Sequence, residues 1–466
     1  MMTVQAAARA LQAEWVGEDK WFDRVSTDSR AVMPGDLFIA LMGDKFDGHS
    51  FVAEVMEKGA AAALVQMDWV QKNPQPGLSL ILVENTRVAL GCLAAYWRRR
   101  FQIPLVAVTG SNGKTTVKEM IASILHHVTA EAGGAGQMDG SDRVLATEGN
   151  LNNDIGVPLM LLRLRERHQY AVIEMGMNHA GEIGYLTRLA RPTLALITNA
   201  GAAHVEGLGS VEAVARAKGE IFEGLDQQGI AVINADDPYA SVWRGLAGDR
   251  KVVDFSLEEK AAVRARYQSG SFTSRVTLLL PDGTQEVELK VPGEHNAANA
   301  AAAAAVAVAM GIKTATIASG LSVFTGVKGR MQKKQGLHGS TLIDDTYNAN
   351  PDSVRAALAV LAKAVGRKIL VLGDMGELGA AARDLHERIG AEARAAGVDA
   401  LLAMGELSAY TVAAFGAGAR HFTKIEELVS EVQSLLAPGD TMLIKGSRFM
   451  QMERVVKCVE SQPAKR

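Results

Sequence analysis

Cysteine is nearly absent. Cys92 and Cys458 stand alone in 466 residues, far apart and outside any Cys/His ligand spacing. This excludes a disulfide framework and a thiolate zinc site, and it fits a reducing cytoplasm. Long hydrophobic runs are missing too. No stretch approaches the roughly 18 uncharged apolar residues of a membrane span, and the start lacks a basic region followed by an apolar one, so neither insertion nor export is expected. Nor is there an excess of one charge: 49 basic against 52 acidic side chains leave a net charge of −3, which argues against a nucleic-acid partner. What is present suits a large soluble protein, with 48% apolar and 22% charged residues. At about 150 residues per domain, the length predicts roughly three domains.

The most informative segment is Thr109-Gly110-Ser111-Asn112-Gly113-Lys114-Thr115-Thr116, which follows the apolar strand Leu105 to Val108 and precedes a helix predicted from Val117. Glycines let backbone N–H groups turn toward a phosphate, Lys114 can reach the outer phosphates, and Thr115 can ligate Mg²⁺. The helix dipole favours the anion. A nucleoside triphosphate is the expected ligand, with Gly110, Ser111, Asn112, Gly113, Lys114, Thr115 and Thr116 around it. The general phosphate-loop pattern wants glycine where Val108 stands, so this is a shortened form of the loop.

The first 84 residues predict a small mixed unit. Val4, Ala8, Leu11 and Trp15 recur at helical spacing, and short strands follow at 36–41, 62–65 and 80–83. A helix from Thr86 to Arg100 leads into residues 85–311, where strands at 105–108, 170–174, 194–198 and 230–234 alternate with helices. Such near-continuous apolar runs predict a parallel sheet covered on both faces, with Glu174, Thr198, Asn199 and Asn234 at its ligand-binding carboxyl edge. The alanine-rich stretch 297–309 predicts a helix that allows close packing. The glycine-rich stretch 130–141 reads as a surface insertion. Residues 312–466 restart the alternation, with strands near 340–344, 368–372, 400–403 and 441–445 and helices at 352–365 and 381–396. They carry no Gly-x-Gly-x-x-Gly fingerprint, so a nicotinamide or flavin role lacks support. The expected fold class is therefore α/β in three units: a small mixed N-terminal domain (1–84), a central P-loop ATPase sheet (85–311) and a Rossmann-like C-terminal domain (312–466).

Seven blocks in order carry a family resemblance. They are the phosphate loop, Gly149 to Leu159, Glu174 to Ile183, Ala217 to Phe222, Gly293 to Ala300, Asp344 to Pro351 and Lys445 to Arg448. Together they resemble the Mur ligases, ATP-dependent amide ligases of cell-wall synthesis, through essentially the whole chain. The resemblance implies ATP, two Mg²⁺ ions and a monomer that acts on small molecules, a UDP-N-acetylmuramoyl-tripeptide (UDP-MurNAc-tripeptide) and D-alanyl-D-alanine (D-Ala-D-Ala). It gives Lys114 the β/γ-phosphates and Thr115 a metal ion, with Glu174 and His204 as further metal ligands. Lys218, which alone would read as an exposed helix lysine, becomes a carbamate formed with CO₂. Asn296 and Asn299 match positions facing adenine, Arg330 one that reaches the phosphates, and Asp345 one that holds the ribose. Arg330 and Asp345 would complete the site on domain closure.

The segments with Ser29 and Arg30, and with Asp47 and His49, match those that hold the UDP end. Asn152 and Asn153 match a loop near the peptide carboxylate, although Asp154 beside them equally suits a helix cap. Asn348, Asn350 and Ser447 are expected at the dipeptide pocket. The insertion lengthens the connection ahead of the Asn-rich loop. Rival readings are a sister ligase adding a single amino acid, a folylpolyglutamate synthase, and a nucleotide-dependent switch. No Asn-Lys-x-Asp guanine reader is visible to support the switch.

Overall fold

The computed structural model describes residues 1–461 apart from 44–45, 76, 134–139, 203–204, 259 and 271. Most of the predicted insertion therefore lies outside the described residues, and so does His204. Among the described residues the strands form three main sheets and one small antiparallel pair, and no helix is long and apolar enough to cross a membrane. Chain order follows sheet order, which gives the three-unit α/β architecture its sequential layout.

The central sheet sets the site. Its phosphate-loop strand, Leu105–Thr109, lies between Tyr170–Glu174 and Leu194–Ile197, with all three parallel. After the loop the chain travels outward to Val144–Ala146, returns to Tyr170–Glu174, and then crosses to the other side of the first strand. This reversal opens a crevice at the carboxyl ends of the strands, where open α/β sheets bind ligands. Alternate residues face opposite layers. Val106, Val108, Val172 and Leu196 pack with the phosphate-loop helix and the alanine-rich helix. Leu105, Ala107, Ile173 and Ile197 pack on the other side, against Leu90, Ile183 and Trp243. The sheet is thus buried on both faces, as its continuous apolar runs require.

It is not wholly parallel, however. Beyond Lys251–Ser256 the strand Val263–Ser269 remains parallel, but Ser274–Leu280 and Gly283–Leu289 pair antiparallel at that end of the sheet. Their apolar residues alternate with Arg275, Thr277, Glu286 and Glu288, the signature of a sheet with one wet face.

The phosphate-loop helix runs Lys114–Gly133, three residues earlier than predicted, because Gly113 takes φ +83° and Val117 N–H already donates to Gly113 O at 2.8 Å. The first turn is thereby part of the loop itself. Against this helix lie Glu294–Ala309, whose alanines are almost all buried, and Thr314–Ser322.

In the N-terminal sheet, Glu14–Val16 pairs antiparallel with Leu80–Val83, and the other three strands are parallel. Trp15 accordingly lies on a strand and not on the first helix. That helix, Val4–Leu11, is ended by Gln12 in the left-handed conformation, φ +53°. The C-terminal sheet is parallel except for Gln332–Gln335 at one edge.

Close approach between the two helices that flank the central sheet depends on Gly320. A Cβ there would sit 2.5 Å from the Ile124 Cα. Gly320→Ala is expected to force these helices apart and lower stability by about 1–3 kcal/mol, seen as a reduced thermal midpoint at unchanged helix content.

Candidate active site at the sheet edge

The phosphate loop is braced from behind. Gly110 adopts φ +151°, and a Cβ on it would lie 1.8 Å from the Thr198 hydroxyl oxygen. Thr198 and Asn199, at the end of the neighbouring strand, hold the loop through short polar contacts. Thr198 Oγ1 donates to Asn112 O at 2.6 Å, Asn112 N–H to Asn199 Oδ1 at 2.8 Å, and Ser111 N–H to Asn199 O at 3.0 Å. The Lys114 ammonium caps the loop carbonyls of Gly110 at 2.6 Å and Ser111 at 3.3 Å. Burial lowers its pKa, the Glu174 charge opposes this, Arg330 adds to it, and Glu377 opposes it.

Beside the loop lies a dry carboxylate. Glu174 is 2% exposed, and its oxygens accept from Thr115 Oγ1 and Asn152 Nδ2, each at 2.8 Å. Burial of an ionised carboxyl is tolerable only with such partners. Thr115, Asn152 and Glu174 thus meet at one point, while Asn153 uses its side chain to accept from Gly156 N–H at 2.8 Å. Asp154 instead forms an ion pair with Arg87.

Lys218 is 1% exposed, at the end of helix Val211–Gly219. Burial, reinforced by the positive charge of Lys114, pushes its amine well below the usual lysine range. The reading of it as a solvated lysine fails because the neighbours that bury it come from other parts of the chain. Lys114, from the phosphate-loop helix, is one of the groups near enough to act on it.

The third unit closes the other side of a cleft of about 870 Å³. Arg330 Nη2 donates to Thr115 Oγ1 at 2.8 Å, and its guanidinium lies 4.1 Å from the Tyr347 ring centroid. Asp345 accepts from Lys445 Nζ at 2.6 Å and from Met331 N–H at 3.1 Å. Asn350 Nδ2 bridges the two units by donating to Asn112 Oδ1 at 2.9 Å. Asn296 and Asn299 lie buried on the alanine-rich helix, where Asn299 Nδ2 donates to Asn296 Oδ1 at 3.1 Å. Asn348 and Ser447 also line the cleft. Ser447 Oγ accepts Gly376 N–H at 2.8 Å and donates to Ala349 O at 3.1 Å.

Four N-terminal candidates do not line this cleft. Arg30 is exposed and chelates Asp28, whose carboxyl is lowered to about 2 by that contact; the Ser29 carbonyl accepts from Lys58 Nζ at 3.0 Å. Asp47 caps the short helix Gly48–Phe51. His49 faces inward. It is 1% exposed, Nε2 accepts Gln66 N–H at 2.9 Å, and Nδ1 donates to Asp47 Oδ1 at 2.6 Å. Both ring nitrogens are committed inside the protein, so His49 orients Asp47 and offers a ligand no ring atom. Lys445, Tyr347 and Asp352 had no assigned role in the sequence. All three belong to or adjoin a quoted block, but Lys445 finds Asp345, and Asp352 the Ala202 N–H, only across distant segments.

Gly113 is as hard to replace as Gly110: besides its φ of +83°, a Cβ would lie 2.4 Å from Asn299 Oδ1. Gly113→Ala is expected to weaken ATP binding at least tenfold by calorimetry while leaving the far-ultraviolet dichroism unchanged.

The sequence matches the Mur ligase middle domain over residues 108–307, the glutamate ligase domain over 329–448 and the Mur ligase catalytic domain over 22–98. It is 42% identical to the UDP-N-acetylmuramoyl-tripeptide–D-alanyl-D-alanine ligase of Escherichia coli (strain K12), with 98% of each chain covered. The crystal structure of MurF from Acinetobacter baumannii is similar at 36% identity, with a TM-score of 0.88 and 98% of both chains covered. MurF ligase from Thermotoga maritima in complex with ADP is similar at 26% identity and a TM-score of 0.81, covering 93% of this chain and 96% of that one. With the phosphate loop, dry carboxylate and two-sided cleft in place along the whole length of these matches, the chain belongs to the Mur ligase family.

Proposed function

We propose that this protein joins D-Ala-D-Ala to UDP-MurNAc-tripeptide at the expense of ATP, yielding the pentapeptide, ADP and phosphate. It does so as a monomer in the cytoplasm, with units 1–84, 85–311 and 312–466 carrying the UDP end, ATP and the acceptor respectively. The observation that carries this reading is full-length similarity to ligases of that name, in a chain whose phosphate loop faces a second domain across one cleft.

Loop N–H groups and Lys114 bind the β/γ-phosphates of ATP, Asn296 and Asn299 face the adenine, and Asp345 holds the ribose. Arg330 reaches the phosphates from the linker. The tripeptide carboxylate attacks the γ-phosphorus and ADP leaves, giving an acyl phosphate. The acceptor amine then attacks the acyl carbon, and the tetrahedral intermediate expels phosphate. One ammonium proton is lost before attack and a second N–H proton leaves with phosphate. Positioning of the three reactants supplies most of the protein's contribution, because it replaces an improbable encounter in solution.

The hard-oxygen donors Thr115 and Glu174, 2.8 Å apart and shielded from water, fit Mg²⁺, with His204 as a further candidate ligand. Bound Mg²⁺ offsets phosphate charge. The depressed amine of Lys218 fits carbamate formation: neutral nitrogen adds to CO₂ and releases a proton, turning a cation into an anion near the metal. Ser29, Arg30 and Asp47 remain the proposed contacts to the UDP end, Asn152 and Asn153 those to the peptide, and Asn348, Asn350 and Ser447 those to the dipeptide.

Phosphate release with ATP, Mg²⁺ and UDP-MurNAc-tripeptide is expected to require D-Ala-D-Ala and to yield a product of pentapeptide mass. Equal release with a single amino acid, or with no amine, would contradict the assignment. Lys218→Ala is expected to lose activity by about 100-fold or more and to recover part of it with added short carboxylates; undiminished activity without them rules out the carbamate.

A further inference from the structure

Lys118 follows Thr115 by three residues on the phosphate-loop helix and is 1% exposed. It is not among the residues that line the cleft, and the reaction derived above does not use it. Burying an ammonium group is costly unless its protons are taken up, and an apolar side chain of similar length would fill the same space at less cost. What takes up those protons is therefore informative. One partner is the carboxylate of Glu119, the next residue of the same helix, which ties the lysine to nothing beyond that helix. The other is the backbone carbonyl of Thr147, 29 residues further along the chain.

At Thr147 the chain leaves the central sheet. The preceding strand, Val144–Ala146, is outermost on that side and pairs parallel with Tyr170–Glu174, Ala146 opposite Val172. Thr147 N–H extends the ladder by donating to Val172 O at 3.0 Å. In a regular parallel ladder the next bond would run from Glu174 N–H to Thr147 O. Here Glu174 N–H donates to the Thr147 hydroxyl at 2.9 Å instead, and the carbonyl displaced from the ladder is the one that Lys118 holds. Thr147 is 1% exposed, so a carbonyl turned out of the sheet at this point needs a donor from within the protein. Residues 148–150 are exposed, and the chain returns at Asn152. Its carbonyl accepts Gly176 N–H at 2.8 Å, and its side-chain amide reaches the Glu174 carboxylate. The Asn-rich loop is thus an arch with one foot at Thr147 and the other at Asn152, both planted on Glu174 and the residues beside it.

We infer that Lys118 is a positioning residue for the peptide substrate. By holding the Thr147 carbonyl out of the ladder, it sets where the Asn-rich loop leaves the sheet, and so where Asn152 and Asn153 stand. This rests on the ligase reading above, in which those two asparagines meet the tripeptide. Thr115 and Lys118, three residues apart, share one face of the helix. Thr115 bonds the Glu174 side chain, and Lys118 fixes the start of the loop. The helix that begins in the phosphate loop therefore also gauges the distance to the loop that presents the attacking carboxylate.

The full chain is tested in two ways. Deuterium exchange needs no substrate: in Lys118→Met it is expected to quicken about tenfold or more for amides of residues 147–156, and by less than about twofold in the phosphate-loop helix. Phosphate release is then followed with ATP, Mg²⁺, D-Ala-D-Ala and varied UDP-MurNAc-tripeptide. Lys118→Met is expected to raise KM for the tripeptide roughly tenfold while KM for ATP stays within about twofold. Combined with Asn152→Ala, it is expected to cost less than about twofold beyond that single variant, because both act through one loop. Lys118→Gln, shorter and uncharged, is expected to behave alike and carries the test if the methionine variant does not fold. Unchanged exchange and KM, equal rises in both KM values, exchange that quickens throughout the chain, or independent losses in the double variant each overturn the inference. So does failure of both variants to fold, which would make Lys118 a residue of the fold alone. If the wild type shows no tripeptide-dependent turnover, it is the ligase reading that fails, and the exchange result still decides whether Lys118 holds the loop.

Discussion

Everything in the cleft is organised around one carboxylate kept out of water. Glu174 closes a central strand and, in that position, must be satisfied by neighbours. Thr115 comes from the phosphate-loop helix, Asn152 from the Asn-rich loop, and Thr147 Oγ1 accepts the Glu174 backbone N–H at 2.9 Å. Thr115 also accepts from Arg330, so the same network reaches the third unit. Three distant stretches of chain are thereby tied, directly or through Thr115, to the residue that carries this buried carboxylate. Removing one tie leaves the others around an underpaired charge, so they are expected to behave as a coupled set and not as independent contacts.

The sheet that presents this carboxylate was largely readable from sequence, for a physical reason. Leu105 to Val108, Tyr170 to Glu174 and Leu194 to Ile197 are buried on both faces, so their composition is dictated locally. The phosphate loop was legible because Gly110 and Gly113 occupy conformations that other residues avoid. The antiparallel end was not legible: Arg275, Glu286 and Glu288 interrupt its apolar residues, and no continuous run announces it. Trp15 kept the helical spacing by coincidence after the chain had already turned at Gln12.

Side-chain environments were the harder part. Lys218 on a helix looks solvated, and only the folded layer around that helix, which leaves it 1% exposed, makes it otherwise. His49 sits in a block resembling a ligand segment, yet its ring is consumed by Asp47 and Gln66 N–H, contacts that need the N-terminal sheet to form first. Glu377, at φ +63°, drew no attention because nothing in the order Gly-Asp-Met-Gly-Glu-Leu-Gly reveals which of its residues will be forced to positive φ. Burial and backbone strain are products of tertiary packing, and neither is encoded within a few residues.

The short linker that carries Arg330 has three residues at positive φ: Gly326 at +96°, Gly329 at +70° and Met331 at +49°. Arg330 lies between two of them, so it belongs to neither rigid sheet. Any rotation of the third unit about this linker moves the arginine and that unit's side of the cleft together. The guanidinium that bonds Thr115 is thus carried by the unit that walls the other side of the cleft. On the function proposed above, such a linkage would tie phosphoryl activation to the sealing of the cleft and keep the nucleotide from being spent on water.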